Sequence, residues 1–198
     1  MISKRYTALI ILIGIILSSS FAYRSLRKSA IVIDSISMNS EFRTRSLDLL
    51  SENGYQTVYV SGEEVTVEFF KNLPKKDLYI FRVHSTCINK RTWIFTGEKY
   101  SPEKYPVLQL TDLIHRARTS INSSHYFCVS PEFIQEYNND GFTGAVILMM
   151  GCEGLSADDL AYTFYNEGAT AYISWDGYIS LEHTDQAFLA LIESSLQS

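Results

Sequence analysis

Residues 144–155 read GAVILMMGCEGL. Ala145 to Met150 is an unbroken apolar run bounded by Gly144 and Gly151. A run of that length, with no polar alternation, reads as a strand buried on both faces, the habit of parallel sheets. The chain then turns at Cys152-Glu153-Gly154. Ser156-Ala157-Asp158-Asp159 resembles a capping box opening a helix, with Leu160, Ala161 and Phe164 on its inner face. Gly168 ends that helix, and Ala169–Ser174 is the next strand.

Outward from this unit the pattern repeats. Ala30–Asp34 is a buried β-branched strand, and helix signals run from about Glu41 to Asn53 before Gly54. Tyr55–Val60 is a strand, Val65–Leu73 a short helix stopped before Pro74, and Asp77–His84 a strand. Between about 85 and 128 the signals weaken. Thr92–Gly97 reads as an edge strand or hairpin, Leu110–Arg118 as a helix, and His125–Val129 as a short strand. Ser130-Pro131-Glu132 starts a helix, and Ser180 caps a last one with Ala187, Phe188, Leu191 and Ile192 inward. Strand–helix–strand alternation implies an α/β domain with a mostly parallel central sheet covered by helices on both faces.

The N-terminus is different in kind. Residues 6–23 carry no charge, and Lys4, Arg5, Arg24, Arg27 and Lys28 flank them. Eighteen such residues are just enough to span a bilayer as a helix. An uncleaved signal anchor is the favoured reading, and a cleaved secretory signal ending near Ala22 the alternative. The division is therefore an anchor and linker over 1–29 and a domain over 30–198. Basic residues on both flanks leave orientation open; a single N-terminal anchor suggests a domain outside the cytoplasm. Residues 1–28 hold five basic and no acidic residues, so without them the net charge goes from −5 to −10. That charge argues against nucleic acid as a partner and allows a basic one. No cofactor motif is present.

Ligand sites in open parallel sheets form beyond the carboxyl ends of the strands. Asp34, His84, Cys152 and the Trp175-Asp176 pair all stand there. A thiol before a helix N-terminus, with an imidazole on a neighbouring strand, has the parts of a nucleophile and its base. Gly151 and the amides of Cys152 and Ser85 are candidates for holding an oxyanion.

The motifs YIFRVHS (79–85) and VILMMGCEGL (146–155), in that order, resemble the His-then-Cys order of clan CD cysteine peptidases, the group of caspases, gingipains and CHAT domains. The stretch AYTFYNEGATAYISWDG (161–177) is similar to the gingipain and CHAT pattern after the cysteine. The chain is also similar to a set of small membrane-anchored archaeal proteins. The resemblance implies a caspase-like three-layer sandwich and peptide-bond hydrolysis through a thioacyl intermediate, with Cys152 and His84 as dyad. The family usually has His-Gly where this chain has His84-Ser85.

Blander readings stand beside these. Cys152 could be a small buried residue. Arg82 and Asp34 suit a structural ion pair as well as a substrate-pocket charge. Asp176 could bind a basic side chain or serve the Asp176-Gly177 turn. Trp175 could wall a pocket or lid the core, and Glu153 reads as a solvated loop acid. His84-x-x-Cys87 has metal-ligand spacing, but a fourth ligand is not evident, so no metal is expected. Outside the cell, Cys87–Cys152 or Cys87–Cys128 disulfides are conceivable. The rival to a peptidase is a non-catalytic domain that binds a ligand or partner.

Overall fold

In the computed structural model, residues 28–195 are described. Nine strands and six helices follow one another: β1 (Ser29–Asp34), α1 (Ser40–Glu52), β2 (Gln56–Ser61), α2 (Val67–Lys71), β3 (Leu78–Arg82), β4 (Ser85–Ile88), β5 (Arg91–Lys99), α3 (Pro106–Leu110), β6 (Ile114–Ala117), β7 (Tyr126–Val129), α4 (Pro131–Tyr137), β8 (Val146–Met149), α5 (Asp159–Asn166), β9 (Ala171–Ile173) and α6 (Leu181–Ser195). The expected anchor over residues 6–23 lies outside the described residues. No helix among those described is long and apolar enough to cross a membrane.

Five strands form a parallel sheet in the order β2-β1-β3-β8-β9. Its central strands are apolar on both faces because each face is covered. Ala30, Val32, Leu78, Ile80 and Leu148 pack with Phe42 and Leu50 of α1 and Phe188 and Ile192 of α6. The alternate residues Ile31, Ile33, Tyr79, Phe81 and Ile147 face α2, α4 and α5. Each such fully buried large side chain contributes about 1.5–3 kcal/mol over leaving it exposed. Several helices start where a side chain satisfies a first-turn amide: Asn39 accepts from Phe42 N–H (3.1 Å), Thr66 from Phe69 (3.0 Å), Ser130 from Phe133 (3.2 Å) and Ser180 from His183 (3.2 Å).

A second sheet, antiparallel and ordered β4-β5-β7-β6, occupies the segment whose signals were weak. Its hairpin turn is Asn89-Lys90, both with positive φ (53° and 63°), the two-residue geometry that suits the twist of paired strands. Ile94, Ile114, Phe127 and Val129 press one face of this sheet onto the α2/α4/α5 core. The other face carries Trp93, Phe95 and Cys128.

Three expectations are corrected. Leu110–Arg118 is not a helix: α3 ends at Leu110, Asp112 adopts φ 56°, and Ile114–Ala117 pairs with β7 as strand β6. The core contact of Ile114 and the ladder to β7 override its local helical spacing. Ser156 does not cap α5; its hydroxyl donates to the Asp176 carbonyl (2.6 Å), and the helix begins only at Asp159. In α6 the inward residues are Thr184, Asp185, Phe188 and Ile192, while Leu191 is exposed.

The antiparallel sheet meets the loop after β2 closely at Gly97. A Cβ on Gly97 of β5 would lie 1.8 Å from the carbonyl oxygen of Gly62, and the Gly97 N–H donates to the Val65 carbonyl (2.8 Å). Both neighbours are backbone, so neither can swing aside. Gly97→Ala is expected to cost more than ~2 kcal/mol by urea denaturation, whereas Gly177→Ala, with nothing near its Cβ, should stay within ~0.5 kcal/mol. Equal midpoints for the two variants would contradict this junction.

Candidate functional site

At the carboxyl edge of the parallel sheet, the last residue of β3 is a buried cation. Arg82, 1% exposed, gives Nη1 to Asp34 Oδ1 (3.0 Å), Nε to Asp185 Oδ1 (2.8 Å) and Nη2 to Asp185 Oδ2 (2.9 Å), with its guanidinium 4.8 Å from the Phe42 ring centroid. Asn39 Nδ2 donates to Asp185 (3.0 Å), and the Tyr59 hydroxyl and the amides of Ile36 and Ser37 donate to Asp34. Burial works against the Arg82 charge, but the bonds to Asp185 and the charge of Asp34 outweigh it and hold its pKa above the ordinary value. Burial and the bond to Asp34 push the Tyr59 phenol up. Asp34 and Arg82 thus face α1 and α6.

Beyond Arg82 the chain leaves the sheet, and His84 faces the opposite way. Its ring meets Phe95 edge-on at 6.1 Å, and its carbonyl accepts from Phe95 N–H (2.9 Å). Here the open face of the antiparallel sheet meets the loops of the parallel one, enclosing a cleft of about 880 Å³. Its floor is Trp93, Phe95, Ala117 and Cys128; His84, Ser85, Cys152 and Tyr178 close one end. Arg91, Arg116, Arg118 and His115 complete the lining, which contains no aspartate or glutamate. Arg91 stacks on Trp93 (4.6 Å to the centroid) and pairs with Glu132 (2.8 Å); His115 lies 3.0 Å from Asp112. Among the described residues, Arg116 and Arg118 have no carboxylate partner.

Cys152 sits after β8 beside Ser85. The Ser85 hydroxyl donates to the Cys152 carbonyl (2.5 Å), and a Cβ on Gly151 would come 2.1 Å from Ser85 Oγ. The Cys152 thiol donates to the Ile179 carbonyl (3.5 Å) and its sulfur accepts from the Ile179 N–H (3.4 Å). Glu153 and Leu155 amides bond to the carbonyls of Gly177 (2.9 Å) and Trp175 (2.8 Å), so residues 175–179 lie as a strap along 152–156. Glu153 is not a solvated acid: its carboxylate accepts from Thr86 Oγ1 (2.9 Å) and Cys87 N–H (3.2 Å), tying β4 to this loop.

Trp175 and Asp176 are not in the cleft lining. Trp175 Nε1 donates to Thr184 Oγ1 (2.9 Å) on the α6 side, beside Met150 and Phe188, and Asp176 is an exposed turn residue. The three cysteines are free thiols. Burial pushes the Cys128 thiol up to about 12. Burial, and then the charge of Asp159, raises that of Cys87. Among the described residues no group of His, Cys, Asp and Glu is arranged to hold a metal ion.

No family model matches this chain, and no curated protein matches it. Among solved structures, a Streptococcus pneumonia TIGR4 flavodoxin aligns with 84% of this chain and 98% of its own, at 15% identity and a TM-score of 0.37. A likeness of that size says nothing about activity. The resemblance to clan CD is overturned: no family model carries it. The caspase-like label and the cysteine-peptidase reading go with it. The geometry gives physical reasons. The thiol proton of Cys152 is directed at a backbone carbonyl, and no hydrogen bond joins it to His84 among the described residues. Helix α5 starts only at Asp159, so Cys152 does not stand at a helix N-terminus. Burial, and then the charge of Arg82, lowers the His84 pKa, so at neutral pH no imidazolium stands by to hold a thiolate.

Sequence reasoning placed His84, Ser85 and Cys152 at one edge but missed the aromatic floor and the arginines. The signal was present: Arg91, Trp93 and Phe95 alternate with Thr92, Ile94 and Thr96, the period of a two-faced strand.

Because His84 is kept neutral when folded, the unfolded chain binds more protons below about pH 6.5. His84 therefore withdraws stability as pH falls, and adds nothing above that value. Between about pH 7 and about pH 5.5 the denaturation midpoint of the wild type should fall further than that of His84→Gln. Parallel curves for the two proteins would refute the burial of a neutral ring.

Proposed function

We propose that this chain is a ligand-binding domain whose cleft takes an anionic ligand with an apolar portion. One observation carries the reading: every ionisable side chain of the lining that bears a formal charge is basic, in a domain whose net charge over residues 29–198 is −10. Arg116 lies over the Tyr100 ring (5.8 Å to its centroid) and Arg118 donates Nη1 to the Ile121 carbonyl (3.1 Å), but neither has a carboxylate partner among the described residues, so both can pair with incoming carboxylates, and Trp93 and Phe95 offer apolar surface beside them. This reverses the preference for a basic partner that the overall charge suggests, because a ligand meets the local field of the cleft rather than the sum over the molecule. In the same proposal, residues 6–23 tether the domain to a membrane, on the support of their uncharged length alone.

The test is fluorescence anisotropy of two labelled heptapeptides, alternating glutamate–valine and alternating lysine–valine, titrated with the full chain. The acidic peptide should bind, weaken as salt rises, and weaken at least about tenfold, ~1.4 kcal/mol, with Arg116→Glu/Arg118→Glu. Equal or tighter binding of the lysine peptide, or indifference to the charge reversal, would overturn the reading.

A further inference from the structure

Strand β6 is an edge of the antiparallel sheet and a wall of the cleft. The phase of its ladder is set by one bond: Ser130 N–H donates to the Leu113 carbonyl (3.0 Å), with Ile114 opposite Val129. In an antiparallel pair this makes Ile114–Val129 a pair without mutual bonds. His115 and Ala117 then spend their backbone groups on Cys128 and Tyr126, while Ile114 and Arg116 turn theirs to the open side. Those outward groups have no backbone partner among the described residues. An unpaired row of N–H and C=O groups is a template for another strand.

What could fill it is narrowed by charge. A second copy of this edge would bring further arginines to a place where Arg116 and Arg118 already lack a carboxylate, whereas an acidic segment would neutralise them. No proline or bulge blocks the strand, whose residues are Ile114, His115, Arg116 and Ala117. We infer that the anionic ligand is an extended acidic peptide segment that adds to the free edge of β6 as a fifth strand. Its backbone bonds to Ile114 and Arg116, its acidic side chains meet Arg116 and Arg118, and its alternate apolar side chains lie over Ala117 and the Trp93 floor. Backbone bonds supply general affinity in this mode and the alternating side chains supply selection. The inference rests on the anionic-ligand reading and specifies how that ligand is held.

N-methylation tests it, because a methyl group removes a backbone donor and blocks an edge without changing charge. The glutamate–valine heptapeptide is compared with two forms of itself, one N-methylated on the glutamates and one on the valines, against the full chain. Strand addition requires donors on one side of the peptide only. One methylated form should bind within about twofold of the parent and the other at least about tenfold more weakly. If both forms bind like the parent, edge addition is wrong while the anionic reading stands. If the parent itself does not bind, both are wrong.

Discussion

A guanidinium held between two buried carboxylates organises this molecule. Arg82, Asp34 and Asp185 bring together the ends of β1 and β3 and the first turns of α6, and Asn39 joins the start of α1 to the same group. Removing three charges from water is expensive, and the cluster persists because nearly every lone pair and donor is used. By directing the Arg82 side chain toward α1 and α6, it fixes where the parallel sheet stops. Val83 and His84 then cross to the other side, where the antiparallel sheet begins.

The cleft follows from that crossing. One face of the second sheet is committed to the core through Ile94, Ile114, Phe127 and Val129, so its opposite face, with Trp93, Phe95 and Cys128, is left to line a cavity. The parallel sheet contributes the closed end, because Cys152 and Tyr178 follow β8 and β9 at the same edge as His84. The strap over 175–179 pins Cys152 by its own thiol, which makes the sulfur part of the wall.

The parallel sheet was legible in the sequence because its central strands are buried on both faces and need no partner to be recognised: Ala30–Ile33 and Ala145–Met150 are continuous apolar runs. The caps at Ser130 and Ser180 were legible because a cap is a local event. The second sheet was not. Ser85–Ile88 is short and polar, and Ile114–Ala117 reads as helix until β7 is placed beside it. The site was half visible. Position at strand ends predicted that His84 and Cys152 would share one edge, but order along the chain could not show where their protons point. Trp175 and Asp176 also stand at a strand end, yet the bond from Trp175 to Thr184 carries the indole to the far face.

The most direct test of this account is the stability of Arg82→Met by urea denaturation. Methionine keeps the volume but leaves Asp34 and Asp185 buried without their cation. The account predicts a loss of about 3–5 kcal/mol. A loss below ~1 kcal/mol would mean that the cluster does not hold the sheet edge, and the explanation of the cleft would fail with it.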